Sequence, residues 1–406
     1  MLYRIGAGGV IKGLRPLILR VAVACIVMGF VLGEMTQPLA KTPLHAWHCS
    51  ANASMAPFAG FEMPVHYGSI VTEHHRCRNG AVLFDVSHMG RLRFEGDGAA
   101  QLLDHLLTRQ VVDLAPGRVR YALVCDARGG ILDDVLVSRV CTPAGNDYFL
   151  LVVNAANRQK LLTWMQPHLA DFPRVTVSDR TEITAMIAIQ GPRSLQISSG
   201  LFKTDLRKLR YYRTVVTEQF SKPVIASRTG YTGEDGLELI VRAEDAQRIW
   251  SNLMLAGRKD GICAAGLGAR DTLRMEAGMP LYGHELDESI NPFEAGLEFA
   301  CDLEGRSFIA DDSLQKLRQV GTPRIRVGLF PEGTRPIREG ANILDTSGAS
   351  IGRVTSGGPA PTLSRPIAMA IIDRSQAAVG TTVVVDNRGR SQAAVVCPLP
   401  FYKRGT

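Results

Sequence analysis

The sequence predicts an α+β protein that carries a separate all-β domain at its C-terminal end. Up to about residue 310, segments with apolar residues at helical spacing alternate with short apolar segments that have the length of strands. Beyond about residue 320, only short strand-like segments follow, with Gly, Pro and Asn turns between them. The chain of 406 residues is long enough for two or three domains, each with its own core.

The first half contains a predicted hairpin between two helices. Residues 98–110, GAAQLLDHLLTRQ, have apolar positions at helical spacing and predict a helix. Residues 118–140 predict the hairpin, with YALVCD as one strand, ARGG as the turn and ILDDVLVSRV as the return strand. A further strand is expected at 148–154, followed by a helix over 157–169.

The second half begins with a predicted strand, 186–190, and a short helix that starts at a proline, as helices often do. Two strands surround the polar turn GYTGEDG within 223–241. Two helices follow, AEDAQRIWSNLML and ARDTLRMEAG, and the apolar face of the first comprises Ala246, Ile249, Trp250 and Leu253.

The C-terminal strands are RIRVGLF, GASIGRVTSG, IAMAIID, TTVVVD and QAAVVC, which predict an all-β barrel or sandwich. We therefore expect one region over residues 42–310 and a β domain over 320–406.

Composition excludes several classes of protein. Hydrophobic residues make up 46% and charged residues 21%, which is typical of a globular protein. The net charge of +7 suits an acidic partner or a polyanionic tail but is too small to indicate nucleic-acid binding. Eight cysteines without a CxxC pair indicate reduced thiols in a cytosol-like compartment. The run HHRC at 74–77 has no second half with ligand spacing, so we expect no metal site.

Residues 1–34 are expected to lie outside the fold as an N-terminal extension. They hold four basic residues, one acid and an apolar run, 21–32, that is too short to span a membrane. Three explanations are open: a signal peptide, a mitochondrial presequence, or an assigned start that lies upstream of the natural start at Met35. We favour the start at Met35, because the scattered cysteines argue against export. The expected location is cytoplasmic, with the mitochondrial matrix as the alternative.

Two aspartates stand side by side in the predicted return strand, GGILDDVLV at 129–137. Side chains alternate across a strand, so Asp133 and Asp134 should point to opposite faces and cannot form a close dyad. The residues expected on the face of Asp133 are Ile131, Val135 and Val137, and Asp134 is expected between Leu132 and Leu136. The alternative is an exposed hairpin edge with both carboxylates in solvent.

Ten motifs occur in one order along the chain: TPLHAWH (42–48), FAGFEMPVHY (58–67), LFDVSHMG (83–90), RYALVCDARGGILDDVLV (120–137), VVNAANRQK (152–160), AIQGPRS (188–194), TGYTGEDGLEL (229–239), LGARDTLRMEAGMPLYGHEL (267–286), NPFEAGL (291–297) and IGRVTSGGPAPTL (351–363). Over residues 42 to about 402, the chain resembles the T-protein, or aminomethyltransferase, family of the glycine cleavage system. No single motif is decisive, and the specificity lies in their order.

The resemblance implies an enzyme with tetrahydrofolate as co-substrate and the lipoylated H protein as partner. Ammonia would leave the aminomethyl group on the lipoyl arm, and the one-carbon unit would give 5,10-methylenetetrahydrofolate. The implied fold has three domains around a central folate cavity, with two interleaved α+β domains and a C-terminal β domain. Neither a nucleic acid nor a membrane is expected as a partner.

The resemblance also assigns the site. Asp134 matches the catalytic carboxylate, expected to orient the reacting pterin nitrogens and to stabilise positive charge, and Asp133 is then structural. Glu238 matches the folate-binding glutamate, since a carboxylate can accept two parallel N–H bonds. The alternative for Glu238 is a surface acid, which Glu234 and Asp235 fit better because they lie in the turn.

Arg270 matches a ligand-binding arginine of the family. The alternative for Arg270 is a salt bridge on the helix face, a role that we expect Arg274 to have instead. Tyr121, Asn154 and Met89 match cavity positions with lower specificity, and Tyr402 is an approximate match to a C-terminal tyrosine near the folate. Core packing is the alternative for Tyr121 and Met89.

Two rival functions share the expected fold. A folate-dependent demethylase would often accompany a flavin-binding domain, and the chain has no GxGxxG fingerprint. A non-enzymatic folate-binding relative that assists iron–sulfur clusters carries KGCYxGQE where this chain has TGYTGEDG. A purely structural module would leave the polar cavity residues without a role.

Overall fold

The computed structural model describes residues 38–405, so the predicted extension of residues 1–34 lies outside the described part. Its helices are α1 His45–Ser50, α2 Ile70–Asn79, α3 Ala99–Leu106, α4 Arg158–Met165, α5 Ser194–Ser198, α6 Ala246–Ala256, α7 Leu267–Glu276 and α8 Asp311–Val320. In this part of the chain, no helix combines the length and the apolar character needed to cross a membrane.

The strands before the C-terminal domain are β1 Ser54–Phe58, β2 Phe61–His66, β3 Val82–Asp85, β4 Gly90–Glu95, β5 Val119–Cys125, β6 Ile131–Cys141, β7 Asp147–Val153, β8 Thr176–Asp179, β9 Thr184–Gln190, β10 Thr214–Gln219, β11 Lys222–Ser227, β12 Gly236–Arg242 and β13 Cys263–Ala264. The predicted hairpin, β5–β6, is present, and the predicted helices form but begin or end a few residues away from the expected bounds.

Two sheets are interleaved along the chain. The first sheet has the order β10-β11-β12-β9-β3-β13, and the second sheet has the order β5-β6-β7-β4-β8. The chain leaves the first sheet after β3, builds the whole second sheet, and returns at β9. Only the β13–β3 pair of the two sheets is parallel within the described chain. The predicted pair of interleaved α+β domains is confirmed.

Each sheet has an outer and an inner face. The outer face of the first sheet packs against α6, whose predicted apolar face is confirmed, since Ala246, Ile249, Trp250 and Leu253 are all fully buried. The outer face of the second sheet packs against α3 and α4. The inner faces meet in a shared core, together with α7, through residues such as Met186, Ile240, Leu150, Val152 and Leu273.

The C-terminal domain is a closed barrel with the strand order β14-β17-β16-β15-β18-β19. Its strands are β14 Arg324–Pro331, β15 Asn342–Leu344, β16 Ser350–Ala360, β17 Arg365–Asp373, β18 Thr382–Asp386 and β19 Ser391–Cys397. The sequence predicts a barrel or a sandwich here and gives no signal for the three-residue β15, which is shorter than the period-2 pattern can identify. Met275 at the end of α7 packs on Met369 of the barrel, so α7 contacts all three domains.

Candidate active site between the two sheets

The polar residues assigned from the motifs lie where the inner faces of the two sheets meet. On β12, Glu238 alternates with Leu237 and Leu239, which belong to the outer core, so Glu238 faces inward. On β6, Asp134 is on the same face as Val140, which belongs to the shared core, and as Ile131, which belongs to a separate cluster with residues 286–314. Asp134 and Glu238 therefore point from opposite sheets toward one space.

The two aspartates of β6 lie on opposite faces, as predicted. Asp133 pairs with Val124 and Asp134 pairs with Leu123. The side chains of Val124 and Leu123 belong to different clusters. One detail of the prediction is wrong. The ladder shifts register between Asp133 and Ile131, so Leu132 is the extra residue of a bulge. Because of the bulge, Ile131 lies opposite to Asp133, and Leu132 joins the outer core on the face of Asp133.

Asp134 is held by two side chains from the second sheet. The Tyr121 hydroxyl donates to its Oδ2 at 3.1 Å, and the Asn154 amide donates to its Oδ1 at 2.7 Å. Tyr121 in turn stacks on the exposed Phe299, with 6.0 Å between ring centroids. Burial raises the pKa of Asp134 above its usual value, and the two hydrogen bonds oppose that shift. A carboxylate with a raised pKa is suited to proton transfer near neutral pH.

Asp133 is fully buried, so the alternative of two solvated acids is wrong for this residue. It accepts hydrogen bonds from the Asn154 amide at 2.8 Å, the Asn154 backbone N–H at 3.0 Å and the Asn157 amide at 2.6 Å. Burial, followed by the charge of Asp134, raises the pKa of Asp133 to about 8. Asp133 therefore has its polar atoms satisfied inside the protein and points away from the space between the sheets.

Glu238 has fewer partners. It is buried, and Thr229 donates a hydrogen bond to its Oε2. Burial raises the pKa of Glu238, while the Thr229 bond and the charge of Arg270 lower it. A carboxylate can take up to about four hydrogen bonds. Glu238 thus retains capacity for donors from a ligand.

Arg270, on α7, places its guanidinium over the Tyr231 ring at 4.7 Å. Its Nη1 is buried without a hydrogen-bond partner among residues 38–405, and burial lowers its pKa. An unsatisfied buried donor is unusual in folded proteins, and this one has hydrogen-bonding capacity for a ligand. Burial raises the pKa of the Tyr231 hydroxyl, and the charges of Arg274, Asp134 and Arg270 also act on it.

His88 is a further candidate that sequence analysis did not single out. It is buried, packs edge-on against Phe58 at 5.5 Å, and its Nδ1 also lacks a partner in the described chain. Burial, followed by the Arg270 charge, lowers the pKa of His88 to about 3, so the ring is neutral. The motif LFDVSHMG, in which Met89 is the predicted cavity residue, also contains His88.

Other predicted residues have different surroundings. Met89 is partly buried against the shared core. Tyr402 donates to Glu234 at 2.8 Å and its ring lies 3.9 Å from the Arg78 guanidinium, so its contacts are with this ion pair rather than with Glu238 or Arg270. The assignment of Glu234 as a surface acid is wrong, because it is buried and pairs with Arg78 at 2.9 Å.

Arg274 has the ion-pairing role predicted for it, though in the interior. It is 2% exposed and contacts Asp271, Glu285 and Ser356 at 2.8 Å each. Asp235 is partly buried and forms a double contact with Arg228. His74 of the HHRC run lies in α2, and its ring bonds Thr272 and Thr362 at 2.8 Å.

Comparison with known proteins gives a consistent result. The GCVT N-terminal domain model matches residues 44–305, and the glycine cleavage T-protein C-terminal barrel domain model matches residues 324–403. The chain is 44% identical over 368 residues to an aminomethyltransferase of Streptomyces avermitilis, covering 89% of this chain and 97% of the relative. It is 45% identical over 366 residues to an aminomethyltransferase of Moorella thermoacetica, covering 90% and 98%.

A solved structure agrees with the observed fold. The crystal structure of glycine cleavage system aminomethyltransferase T from Bartonella henselae superposes with a TM-score of 0.83 at 32% identity, covering 90% of this chain and 99% of that chain. Both domain models, the full-length relatives and the three-domain architecture point to one group of proteins. The chain belongs to the glycine cleavage T-protein family of aminomethyltransferases.

Proposed function

We propose that the protein transfers the one-carbon unit of an aminomethyl group, carried on the lipoyl arm of the H protein, to tetrahydrofolate. The aminomethyl carbon breaks its bonds to sulfur and nitrogen and forms bonds to N5 and N10 of tetrahydrofolate, whose two N–H protons go to the sulfur and to the departing ammonia. The products are the free lipoyl thiol, ammonia and 5,10-methylenetetrahydrofolate. The observation that carries the proposal is the position of Asp134, which lies with Tyr121 and Asn154 opposite the under-satisfied pair Glu238 and Arg270.

Asp134 is proposed as the catalytic carboxylate. Loss of ammonia needs a proton on the departing nitrogen and generates positive charge on carbon. A carboxylate at this point can carry the proton and stabilise the developing cation. The Tyr121 and Asn154 donors fix its orientation, so reorganisation during the reaction is small. The amount of rate enhancement expected from such a group is roughly a hundredfold or more.

Glu238 and Arg270 are proposed to hold the folate. The amino-pyrimidine edge of a pterin presents N–H donors that a carboxylate accepts as a pair. The pterin carbonyl is an acceptor for the Arg270 Nη1 hydrogens, which have no partner among residues 38–405. The donor and acceptor pattern of the site therefore fits this co-substrate. Met89 and Tyr402 are proposed as further folate contacts.

We place the reaction in the cytoplasm. The seven cysteines of the described residues are all free thiols, as expected in a reducing compartment. The mild positive charge of the chain suits an acidic carrier protein as partner.

A coupled assay tests the proposal. Purified protein, aminomethylated H protein and tetrahydrofolate are mixed, and ammonia and methylenetetrahydrofolate are measured together. We expect both products to form in equal amounts, and an H protein without its lipoyl group to give neither. Ammonia release no faster than in the mixture without the protein would contradict the proposal.

A further inference from the structure

Asn154 connects the two aspartates of β6, although their side chains leave the strand on opposite faces. It directly follows β7. Its Nδ2 donates to Asp133 Oδ1 at 2.8 Å and to Asp134 Oδ1 at 2.7 Å, and lies 3.2 Å from the Asp134 carbonyl oxygen. The amide group has two hydrogens, and a carboxylate is the stronger acceptor for each. Both hydrogens are therefore engaged by the aspartates.

Asp133 is also anchored to Asn157, the residue immediately before α4. The Asn157 amide donates to Asp133 Oδ1 at 2.6 Å, and the Asn154 backbone N–H donates to Oδ2 at 3.0 Å. With 0% exposure, Asp133 has no access to a substrate. Any influence of Asp133 on the reaction must pass through a neighbour, and Asn154 is the neighbour that also contacts Asp134.

We infer that Asp133 is a positioning residue for the transfer reaction, acting through Asn154. Two anchored carboxylates hold the planar amide of Asn154 with its nitrogen toward Asp134 and its oxygen turned away. Among residues 38–405 that oxygen receives no hydrogen bond. It is thus presented as an acceptor for an N–H donor of the substrate, such as the amine carried on the aminomethyl group. The part of this inference that concerns turnover rests on the proposed function.

The orientation of Asn154 matters because its two ends have opposite polarity. With Asp133 ionised, a rotated amide would place its oxygen against two carboxylates at once, and because the pKa of Asp133 is raised to about 8, this effect is expected above that pH. Without that carboxylate, the rotated amide meets only Asp134, and the cost of rotation falls. The rotated form would remove a donor from Asp134 and would present N–H groups to a substrate amine that itself donates. Turnover should then fall while folate binding at Glu238 is unaffected.

A merely structural Asp133 would behave differently. Its loss would lower stability and reduce the folded fraction, and the turnover of the folded molecules would not depend on the side chain at position 154. A double-mutant cycle separates the two roles, because coupled residues are non-additive and independent ones are additive.

The cycle uses Asp133→Asn, Asn154→Ala and the double variant, with kcat measured per folded molecule at about pH 9, where Asp133 is ionised. We expect Asp133→Asn to lower kcat by roughly tenfold or more, with the folate Kd unchanged. In the Asn154→Ala background, the same change should lower kcat by less than about twofold. Equal losses in the two backgrounds, or a wild-type kcat for Asp133→Asn, would overturn the inference.

Asp245→Asn is the matched control. Asp245 is also a buried aspartate, 6% exposed, but it precedes α6 on the outer face of the first sheet and pairs with Arg248 at 3.1 Å. Its effect on kcat should be small and equal in both backgrounds. If Asp133→Asn does not fold, Asn157→Ala replaces it, since this change removes the 2.6 Å anchor and leaves the carboxylate in place. We expect a kcat loss of about two- to fivefold that vanishes when Asn154 is already alanine.

A second measurement does not need turnover. With ¹⁵N-labelled asparagine, the Asn154 side-chain amide is followed by NMR, and its signal is assigned by its loss in Asn154→Ala. Its hydrogens should exchange with solvent at least about tenfold faster in Asp133→Asn than in the wild type, because the neutral amide oxygen that remains is a weaker acceptor than the carboxylate. Unchanged exchange would overturn the inference. If the wild type shows this protection but no aminomethyl transfer, the proposed function fails and the positioning contact stands.

Discussion

The two walls of the candidate site differ in how well their polar groups are satisfied. On the second sheet, Asp134 and Asp133 are held by Tyr121, Asn154 and Asn157 through five hydrogen bonds of 2.6–3.1 Å. On the other wall, formed by the first sheet and α7, Glu238 has one donor, and buried nitrogens of Arg270 and His88 have none in the described chain.

This difference indicates that the two walls of the site have different roles. A carboxylate that takes part in chemistry is most effective when its surroundings are fixed before the substrate arrives. Groups that bind a ligand must instead keep hydrogen-bonding capacity free, and in the empty protein this costs stability. We therefore expect changes on the second sheet to affect turnover, and changes on the first sheet and α7 to affect folate affinity.

The largest expected effect is on turnover, from Asp134→Asn. Loss of the carboxylate should lower kcat by roughly a hundredfold or more, since proton transfer and charge stabilisation are both removed. The Kd for tetrahydrofolate, measured by calorimetry, should change little. Asp147→Asn is a suitable control, because Asp147 lies at the other end of the β6–β7 pair and contacts Arg139. A large loss of folate affinity with normal kcat would place Asp134 in the binding wall.

The second prediction concerns Glu238→Gln. One acceptor oxygen becomes an NH₂ group that faces the pterin donors, so folate affinity should fall by about ten- to a hundredfold. Binding of the H protein should be unchanged. Burial raises the pKa of Glu238, so protonation should weaken wild-type folate binding at a higher pH than an exposed glutamate would. That pH dependence should disappear in the glutamine variant, while Glu218→Gln on β10 should keep it.

The third prediction contrasts two arginines one turn apart on α7. Arg274→Met should destabilise the protein by about 3–5 kcal/mol, because it leaves buried Glu285 without its partner. Arg270→Met should leave the melting temperature unchanged or higher, because a buried donor without a partner is removed. It should nevertheless lower folate affinity by about tenfold. A strong destabilisation by Arg270→Met would show that Arg270 is structural.

The last prediction is a pH dependence of stability, which is small for each pH unit and accumulates over the window. The pKa of Asp133 is about 8 in the folded protein and its usual value is 3.8. Between these values the unfolded chain is ionised at this position and the folded chain is protonated, so the unfolded state binds fewer protons. Stability therefore falls as the pH rises through this window, by at most about 1.4 kcal/mol per pH unit.

Urea unfolding at several pH values between 5 and 8 measures this slope. Asp133→Asn should reduce it, whereas Val135→Ala, which weakens the adjacent core without a titratable group, should keep the wild-type slope. Identical slopes in the wild type and Asp133→Asn would show that Asp133 is ionised in the folded protein throughout.

The sequence by itself determined those features that depend on neighbours along the chain. Alternation along β6 assigned Asp133 and Asp134 to opposite faces, and helical periodicity identified the buried face of α6. The order of motifs identified the family and the candidate residues. These inferences hold because side-chain direction within a strand or helix is set by backbone geometry, whatever the element packs against.

Only the tertiary structure decided which residues meet across the domains. Asn154 contacts both aspartates across about 20 residues of sequence, and Arg78 reaches Glu234 from 156 residues away. The bulge at Leu132 arises from pairing with β5, and the orphaned Nδ1 of His88 depends on packing among several elements. No local pattern encodes these contacts, because the free energy that forms them comes from burial between segments that are distant in sequence.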